Sequence, residues 1–372
     1  MGPPPRHYLD HNATSPLRPE ARAAMLSAMD AGGNGSSVHR EGRAARATID
    51  TARQSVARLA GVPATTVHFT SGGTEANNWA LALAAAAGRT LAVAGIEHES
   101  VLAPARLAGA TLIATGASGT IDLADLNRIL DTDAPMLVAV MAANNETGVI
   151  QPTAEIARLC RAHGAWLLVD AVQAAGKLDL APLAEDADFL SLSAHKLGGP
   201  AGTGALVIGA RVDPEPLIRG GGQEFRRRAG TENLVGIAGF GAAAAVADPS
   251  VLSARLGPLR DNLEARLRRA CPTLVVHGAA APRLANTACI GMPGVPAQTQ
   301  VMALDLAGVA VSAGSACSSG KVAPSHVLRA MGVTEARSGE AVRFSLGWNS
   351  TGADIDAAVS AWTRLWHRRS GG

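Results

Sequence analysis

Residues 188 to 204 read Asp-Phe-Leu-Ser-Leu-Ser-Ala-His-Lys-Leu-Gly-Gly-Pro-Ala-Gly-Thr-Gly. The apolar first half is typical of a buried strand, and the glycines that follow are typical of a turn. Lys196 therefore lies directly after a predicted strand, where open α/β sheets bind their ligands. A lysine in that position is most often a surface residue, so a chemical role for Lys196 needs support from other segments.

This stretch belongs to a region, residues 65 to 210, in which short β-branched runs alternate with helical segments. The alternation predicts an α/β fold whose large domain has a mainly parallel, seven-stranded sheet. The predicted strands are 67–70, 90–94, 111–114, 137–141, 166–170, 189–193 and 205–208. From residue 231 a long helical segment, broken near Asp248-Pro249, leads into shorter strands and helices. We therefore predict a large domain at 13–250 and a smaller α+β domain at 251–372 that also takes in residues 1–12.

Composition argues against several classes of protein. The 33 basic and 31 acidic residues give a formal net charge of only +2, unlike a surface that coats nucleic acid. No apolar stretch reaches the roughly 18 residues of a membrane span, and the first residues lack the apolar core of a secretory signal. The four cysteines are widely spaced, without metal-ligand pairing. We expect a cytoplasmic protein with no metal site, no nucleic-acid partner and no membrane association.

Lysine is scarce, because only Lys177, Lys196 and Lys321 occur among the 33 basic residues. Arginine can replace lysine as a surface cation but not as an amine nucleophile. Lys177 is followed by Leu-Asp and is interpreted as a solvated loop cation, and Lys321 as an exposed loop residue. Amine chemistry is therefore expected at Lys196.

Three other segments could support that chemistry. Ser71-Gly-Gly-Thr74 follows a strand and opens an Ala-rich helix, which offers N–H donors to a phosphate, although an ordinary helix cap also explains it. Asp170 ends an apolar strand, where its carboxylate could keep a pyridine nitrogen protonated or simply cap the next helix. His98 also follows a strand and could stack on a flat ring or be purely structural. A phosphate cradle, an acid and a ring partner beside a lysine are what pyridoxal 5′-phosphate chemistry requires.

Taken together, these motifs resemble those of the cysteine desulfurase family, in the class V aminotransferase group of fold-type I pyridoxal-phosphate enzymes. The resemblance runs in order along nearly the whole chain. It is carried by Tyr8-Leu-Asp-His-Asn-Ala-Thr, Asn34-Gly-Ser-Ser-Val-His, Thr70-Ser-Gly-Gly-Thr-Glu-Ala-Asn-Asn, Glu97-His, Asn144-Asn-Glu-Thr-Gly, Asp170-Ala-Val-Gln, Ser193-Ala-His-Lys, Gly220-Gly-Gly-Gln-Glu, Arg228-Ala-Gly-Thr-Glu-Asn, Ser312-Ala-Gly-Ser-Ala-Cys-Ser-Ser-Gly and Arg343-Phe-Ser-Leu-Gly.

The resemblance implies a pyridoxal 5′-phosphate site. Lys196 would hold the cofactor and later move the substrate Cα proton, and His98 would stack on the ring and help in proton transfer. Asp170 would pair with the pyridine nitrogen and Gln173 with the ring oxygen. The residues implied at the phosphate are Gly73, Thr74, Ser193, His195 and, from the second subunit of a homodimer, Thr231.

The resemblance also implies how substrate is handled. Arg343 would clamp the substrate carboxylate with help from Asn12, and Asn145 would orient cofactor and substrate. Cys317 lies among small polar residues that predict a mobile loop, so its thiolate could shuttle sulfur or be a tolerated loop thiol. L-Cysteine would become L-alanine, with its sulfur held on Cys317 as a persulfide. An iron–sulfur scaffold or another sulfur carrier would then accept the sulfur, for iron–sulfur clusters, thio-cofactors or tRNA.

Other functions stay open at this point. A selenocysteine lyase or another class V aminotransferase is one, and a non-catalytic sulfur carrier or scaffold component is another. Cys317 argues against an aminotransferase, whereas Lys196 with Asp170 argues against a carrier. Trp348 stands where many relatives have a second arginine, so we expect a less cationic site mouth. The chain ends soon after a predicted helix at 354–366, without the extension that housekeeping members use to contact a scaffold, which leaves the acceptor open.

Overall fold

The structure is a computed structural model that describes residues 6–132, 134–314 and 324–370. Its strands arise where apolar and β-branched residues run together. In chain order they are β1 (His7–Tyr8), β2 (Val67–Thr70), β3 (Thr90–Ala94), β4 (Thr111–Ile113), β5 (Met136–Met141), β6 (Trp166–Asp170), β7 (Phe189–Ser193), β8 (Gly204–Ile208), β9 (Val275–His277), β10 (Thr287–Gly291), β11 (Val309–Ala310), β12 (Ser312–Ala313) and β13 (Ala341–Ser345).

The helices connect and cover these strands. They are α1 (Pro19–Ala31), α2 (Arg40–Ala60), α3 (Gly73–Ala86), α4 (Glu99–Leu107), α5 (Leu123–Leu130), α6 (Thr153–Ala162), α7 (Ala181–Asp186), α8 (Gln223–Arg226), α9 (Leu234–Ala245), α10 (Pro249–Ala270), α11 (Ala297–Leu306), α12 (His326–Ala330), α13 (Glu335–Ser338) and α14 (Gly352–Ser370). The break predicted near Asp248-Pro249 separates α9 from α10. Asp248 caps α10 by accepting from the amides of Ser250 and Val251, and Pro249 takes the first helical position, where no N–H is needed.

The large sheet has the order β2-β8-β7-β6-β5-β3-β4. Strand β8 runs antiparallel to both of its neighbours, and the remaining pairs are parallel. This confirms the predicted α/β class with a mainly parallel, seven-stranded sheet. The carboxyl ends of β2, β3, β5, β6 and β7 consequently meet along one edge, so residues that follow these strands become neighbours.

A second sheet, β12-β13-β10-β9, is antiparallel, and β1 pairs with β11 in a separate parallel pair. A hydrophobic cluster beneath it is built from Leu9 and from residues between 256 and 365, with Trp362 and Phe344 fully buried. Asp10 forms a parallel bridge to Ser345 at the edge of this sheet. The division into domains at 250/251 remains a proposal, which this separate cluster supports.

Within the described ranges, no single helix is long and apolar enough to cross a membrane. Helices α9 and α10 meet that test only as a pair bent by 73°, on length and composition alone. Helix α9 packs against α1 and α2, with Ile237 and Phe240 buried, so its apolar residues belong to the protein core.

Candidate active site

The carboxyl edge of the large sheet opens into a cavity of about 500 Å³, closed on its far side by residues of the small sheet. Eleven of the residues predicted for the site line it: Asn12, Gly73, Thr74, His98, Asn145, Asp170, Gln173, Ser193, His195, Lys196 and Arg343. Thr231 instead lines a separate cavity with Ser71 and Arg228. Cys317 and Lys321 lie outside the described residues.

Lys196 ends a turn of 3₁₀-helix, Ala194–Lys196, that directly follows β7. Its Nζ donates to the main-chain oxygens of Asn12 at 2.6 Å and Ala13 at 2.8 Å. Burial, and next the charge of Arg343, lower the pKa of this amine to about 8, against the partial opposition of Asp10 and Asp170. Lys196 therefore loses its proton more readily than a surface lysine, as a nucleophilic amine must.

Asp170 ends β6 and is 6% exposed. Its Oδ2 accepts from Asn77 Nδ2 at 2.8 Å and its Oδ1 accepts from the Val172 amide at 2.9 Å. The second contact holds the turn after β6 and is not a helix cap, because the next helix, α7, begins only at Ala181. The carboxylate is thus fixed in orientation before any ligand binds.

His98 caps the start of α4 and shares a hydrogen-bonded chain with Asp170. The Ser100 amide donates to His98 Nδ1 at 3.1 Å, and Ser100 Oγ lies 2.9 Å from the same nitrogen. Because a backbone N–H can only donate, this contact selects the tautomer in which Nδ1 accepts and Nε2 carries the proton. Asn77 Nδ2 also reaches Ser100 Oγ at 2.9 Å, which links the histidine to the aspartate.

The start of α3, with Ser193 and His195, provides a part of the cavity wall that suits an anion. Helix α3 begins at Gly73, where a Cβ atom would lie 2.7 Å from Val172 Cγ2, so any larger residue would force Val172 to move. Ser193 supplies a hydroxyl there. Burial, with the charges of Lys196 and Lys177, lowers the pKa of His195 to about 4, so its ring is neutral near pH 7. Helix amides, a hydroxyl and a neutral imidazole are donors suited to a phosphate.

Arg343, on β13, faces the same cavity from the small sheet. Its Nη2 donates to Asp10 Oδ1 at 2.8 Å and its Nη1 donates to the Asn145 main-chain oxygen at 2.9 Å. Ser312 Oγ donates to the other carboxylate oxygen of Asp10 at 2.9 Å. The guanidinium therefore has an internal carboxylate partner, which the sequence analysis missed although Asp10 lies inside a quoted motif.

Asn12 contributes to the site through its main-chain oxygen more than through its side chain. It is 1% exposed, its Nδ2 donates to Thr287 Oγ1 at 2.9 Å, and its Oδ1 accepts from Asn286 Nδ2 at 3.0 Å. Its main-chain oxygen accepts from Lys196. The substrate role expected for its side chain remains a prediction, and the amide is already engaged by these neighbours.

The interpretation of Lys177 as a solvated cation is wrong. The residue is 7% exposed, and its Nζ donates to Gln173 Oε1 at 2.9 Å and to the Gln173 main-chain oxygen at 3.1 Å. Local sequence shows only a glycine before it and Leu-Asp after it, whereas its burial comes from segments distant in sequence, including α10 through Ser253.

Sequence reasoning also missed Glu97 and His326. Glu97 is fully buried and its Oε1 accepts from the Met141 amide at 2.7 Å. Burial, and next the charge of Asp170, raise its pKa well above the usual range, which favours its protonated form. His326, at the start of α12, lines the cavity and its Nε2 lies 3.0 Å from the Glu97 main-chain oxygen. Glu97 stands in the quoted Glu97-His motif, where it was given no role of its own.

Trp348 does not line the large cavity. It lines a smaller one with Lys177 and Arg18, its Nε1 donates to the Pro16 oxygen at 2.9 Å, and the Arg18 guanidinium lies 5.5 Å from its ring centre. The less cationic site mouth expected from this residue therefore stays a prediction.

The comparisons with known proteins agree with this geometry. The family model described as "Aminotransferase class-V" matches residues 7–358. A cysteine desulfurase from Cereibacter sphaeroides is 43% identical over 94% of this chain and 93% of its own length.

Solved structures of related proteins are also similar to this chain. A NifS-like protein from Rickettsia africae ESF-5 superposes with a TM-score of 0.90 at 34% identity, covering 97% of this chain and 99% of its own. A structure described as "SspA in complex with cysteine" gives a TM-score of 0.79 at 28% identity, covering 91% and 98% of the two chains. The chain therefore belongs to the class V aminotransferase family and, within it, to the cysteine desulfurases.

Proposed function

We propose that this chain removes sulfur from L-cysteine with the help of pyridoxal 5′-phosphate and leaves L-alanine. The observation that carries the proposal is the convergence of eleven sequence-predicted residues on one cavity around the Lys196 amine. Relatives named cysteine desulfurase and a structural neighbour solved with cysteine support the same substrate.

The residues of the cavity fit this cofactor. Lys196 supplies the amine for its aldehyde, Asp170 a fixed carboxylate for its pyridine nitrogen, and the start of α3 with Ser193 and His195 the donors for its phosphate. When bound, pyridoxal 5′-phosphate supplies an electron sink that stabilises negative charge at the substrate Cα. His98 would lie against the ring, and Gln173 would donate to the ring oxygen.

The chain's own residues would then move protons and orient the substrate. Arg343 binds the substrate carboxylate, which must share or replace Asp10 as its partner, and Asn145 orients the substrate beside it. Lys196 Nζ takes the proton from the substrate Cα. His98, with its proton on Nε2, is placed to give or receive one proton during the reaction.

Cys317 is proposed as the sulfur acceptor. Its thiolate attacks the substrate sulfur, so a sulfur–sulfur bond forms as the substrate carbon–sulfur bond breaks. The electron pair of that bond goes to the substrate β-carbon, which ends as the methyl group of L-alanine. One cysteine and one thiol therefore give one alanine and one persulfide, with no external oxidant. The buried Cys160 is a poor substitute, because burial raises the pKa of its thiol to about 12.

The proposal extends to the oligomeric state, the cellular compartment and the sulfur acceptor. We infer a homodimer in which Thr231 of one subunit completes the phosphate site of the other, since Thr231 is exposed and does not line the cavity of its own chain. We infer a cytoplasmic enzyme, because the cysteines Cys160, Cys271 and Cys289 are free thiols, as a reducing compartment keeps them. The persulfide would pass to an iron–sulfur scaffold or another sulfur carrier.

The test begins with the absorbance spectrum of the purified protein, where a visible band reports bound cofactor. L-Cysteine is then added, alanine and sulfide are measured, and the persulfide is mapped by mass spectrometry. We expect equal amounts of alanine and transferable sulfur, a persulfide on Cys317, and loss of alanine release in Cys317→Ala. A colourless protein, or alanine release from Cys317→Ala at the parent rate, would refute the assignment. Pyruvate-coupled transamination and assay with selenocysteine distinguish the related enzymes.

A further inference from the structure

Lys177 is a buried cation that the proposed reaction does not use. It is 7% exposed, and among the described residues no carboxylate lies within ion-pair distance of its Nζ. Burial lowers the pKa of Lys177 to about 7, helped by the charges of Lys196 after β7 and Arg343 on β13, both of its own sign. His11 lies on its other side, with its pKa lowered to about 4 by burial and then by Lys177. A buried amine without a counter-ion costs stability that an apolar side chain of the same length would not.

The hydrogen bonds of Lys177 indicate what it does. Its Nζ donates to Gln173 Oε1, while Gln173 Nε2 donates to the Asn12 main-chain oxygen at 2.9 Å. A side-chain amide can in general be placed either way round, because its oxygen and nitrogen have the same shape. Here both contacts favour one placement: the Asn12 carbonyl oxygen can only accept, and the Lys177 nitrogen carries hydrogens to donate to the amide oxygen whether or not it is protonated.

Gln173 consequently presents an N–H donor, and not its carbonyl oxygen, to the cavity that it lines. One Nε2 hydrogen is committed to Asn12, and the other remains for a ligand. The reversed amide would present its oxygen, which repels an anionic oxygen and cannot donate to it. The same Asn12 oxygen accepts from Lys196 Nζ at 2.6 Å, so the amide and the reactive amine share one anchor.

We propose that Lys177 is a positioning residue that fixes the Gln173 amide so that it presents an N–H to the ring oxygen of the bound cofactor. This inference rests on the proposed function for the identity of the ligand. Lys177 itself does not touch the ligand and acts through Gln173.

The test compares the affinity of the full-length protein for pyridoxal 5′-phosphate in Lys177→Met, Gln173→Ala and the double variant. Methionine keeps the length of the side chain and removes its donors. Loss of one hydrogen bond predicts a Kd increase of about three- to tenfold in each single variant. Because both changes remove the same interaction, the double variant should bind no more weakly than the weaker single variant.

Ser253→Ala is the matched control. Ser253 Oγ donates to the Lys177 main-chain oxygen at 3.3 Å, so this change disturbs the same segment without touching the Gln173 amide. Its cofactor Kd and visible spectrum should equal those of the parent. The visible band should move in the same direction in Lys177→Met and Gln173→Ala, which a purely structural role for Lys177 would not produce.

A second measurement does not depend on how well Lys177→Met folds. The chain has only three lysines, so a lysine ¹³Cε spectrum is simple enough to assign. Gln173→Ala should change the titration of the Lys177 signal, and Ser253→Ala should not. Additive effects in the double variant, or a parent-like Kd in Lys177→Met, would overturn the inference. A parent protein that binds no cofactor would instead refute the proposed function.

Discussion

The two sides of the cavity are constructed differently. On the large-sheet side, Asp170, Asn77, Ser100 and His98 form a continuous hydrogen-bonded chain. On the small-sheet side, Arg343 is paired with a carboxylate, Asp10, that is 333 residues away in sequence. The first side is already arranged for a ligand that stays bound, because its groups need no rearrangement. The second holds an ion pair that an incoming carboxylate has to share or replace, which suits a ligand that comes and goes.

The largest effect is expected at Lys196, which lies between the two sides. Lys196→Ala removes both the proposed attachment point of the cofactor and the group proposed to move the Cα proton. We expect loss of the visible band and a fall in alanine formation of about 10²–10⁴-fold from the proton-transfer role alone. Absorbance and a coupled alanine assay measure the two effects. A variant that retained both would show that the site is elsewhere.

The large-sheet side is tested by Asp170→Asn, which keeps the shape and removes the charge. We expect a fall in kcat on the order of 10²-fold, because the carboxylate can no longer stabilise a protonated ring nitrogen. Asp188→Asn is the control, since Asp188 is buried as Asp170 is but pairs with Arg211, and neither residue lines the cavity. That control should lower the melting temperature without changing the visible spectrum. Equal kcat losses in both variants would contradict a specific role for Asp170.

The pH dependence of cofactor uptake measures the pKa of the Lys196 amine. The pKa of Lys196 is lowered to about 8, so the unprotonated amine becomes scarcer as the pH falls below that value. Uptake by cofactor-free protein should therefore slow by about tenfold per pH unit below pH 8 and level off above it. Stopped-flow absorbance measures the rate. An inflection near pH 10, the ordinary range of lysine, would show that the cavity does not lower this pKa.

The smallest effect is expected from Asp10→Asn on the small-sheet side. The asparagine can still accept from Arg343 but no longer competes as a charge, so KM for L-cysteine should fall a few-fold. Asp10 also raises the pKa of Lys196, and its removal should shift the uptake inflection to lower pH. Steady-state kinetics with the pH series of cofactor uptake test both. A rise in KM would instead indicate that the charge of Asp10 positions Arg343 for the substrate.

The strands of the large sheet could be predicted from the sequence because each is a short, continuous run of apolar and β-branched residues. The strands 67–70, 90–94, 166–170 and 189–193 have the same bounds in the structure, and the others differ by at most two residues at an end. Residues after these strands were expected to be neighbours, and this follows from parallel topology alone. The placement of Lys196 and Asp170 at this edge needed no information beyond this, whereas their chemical roles rested on the other segments and on the resemblance.

The groups that support the site could not be predicted in this way. Asn77 and Asp10 stand inside recognisable motifs, but nothing in a motif states which side chain holds another. Lys177 was misread because its burial depends on α10 and on residues near His11, which are remote in sequence. A hydrophilic residue in a short glycine-containing turn has the same local sequence whether water or protein covers it.

The segment from Asp10 to Ser15 connects elements that are far apart in the chain. The Asn12 oxygen holds Lys196, the Ser15 amide donates to the His195 oxygen at 2.8 Å, and Asp10 holds Arg343. During synthesis on a ribosome, Arg343 emerges long after the large sheet has been made. The Arg343 side of the cavity cannot assemble until that late strand meets the early segment, and such distant contacts form slowly. Cofactor loading and substrate binding would then become possible at different stages of the life of one polypeptide.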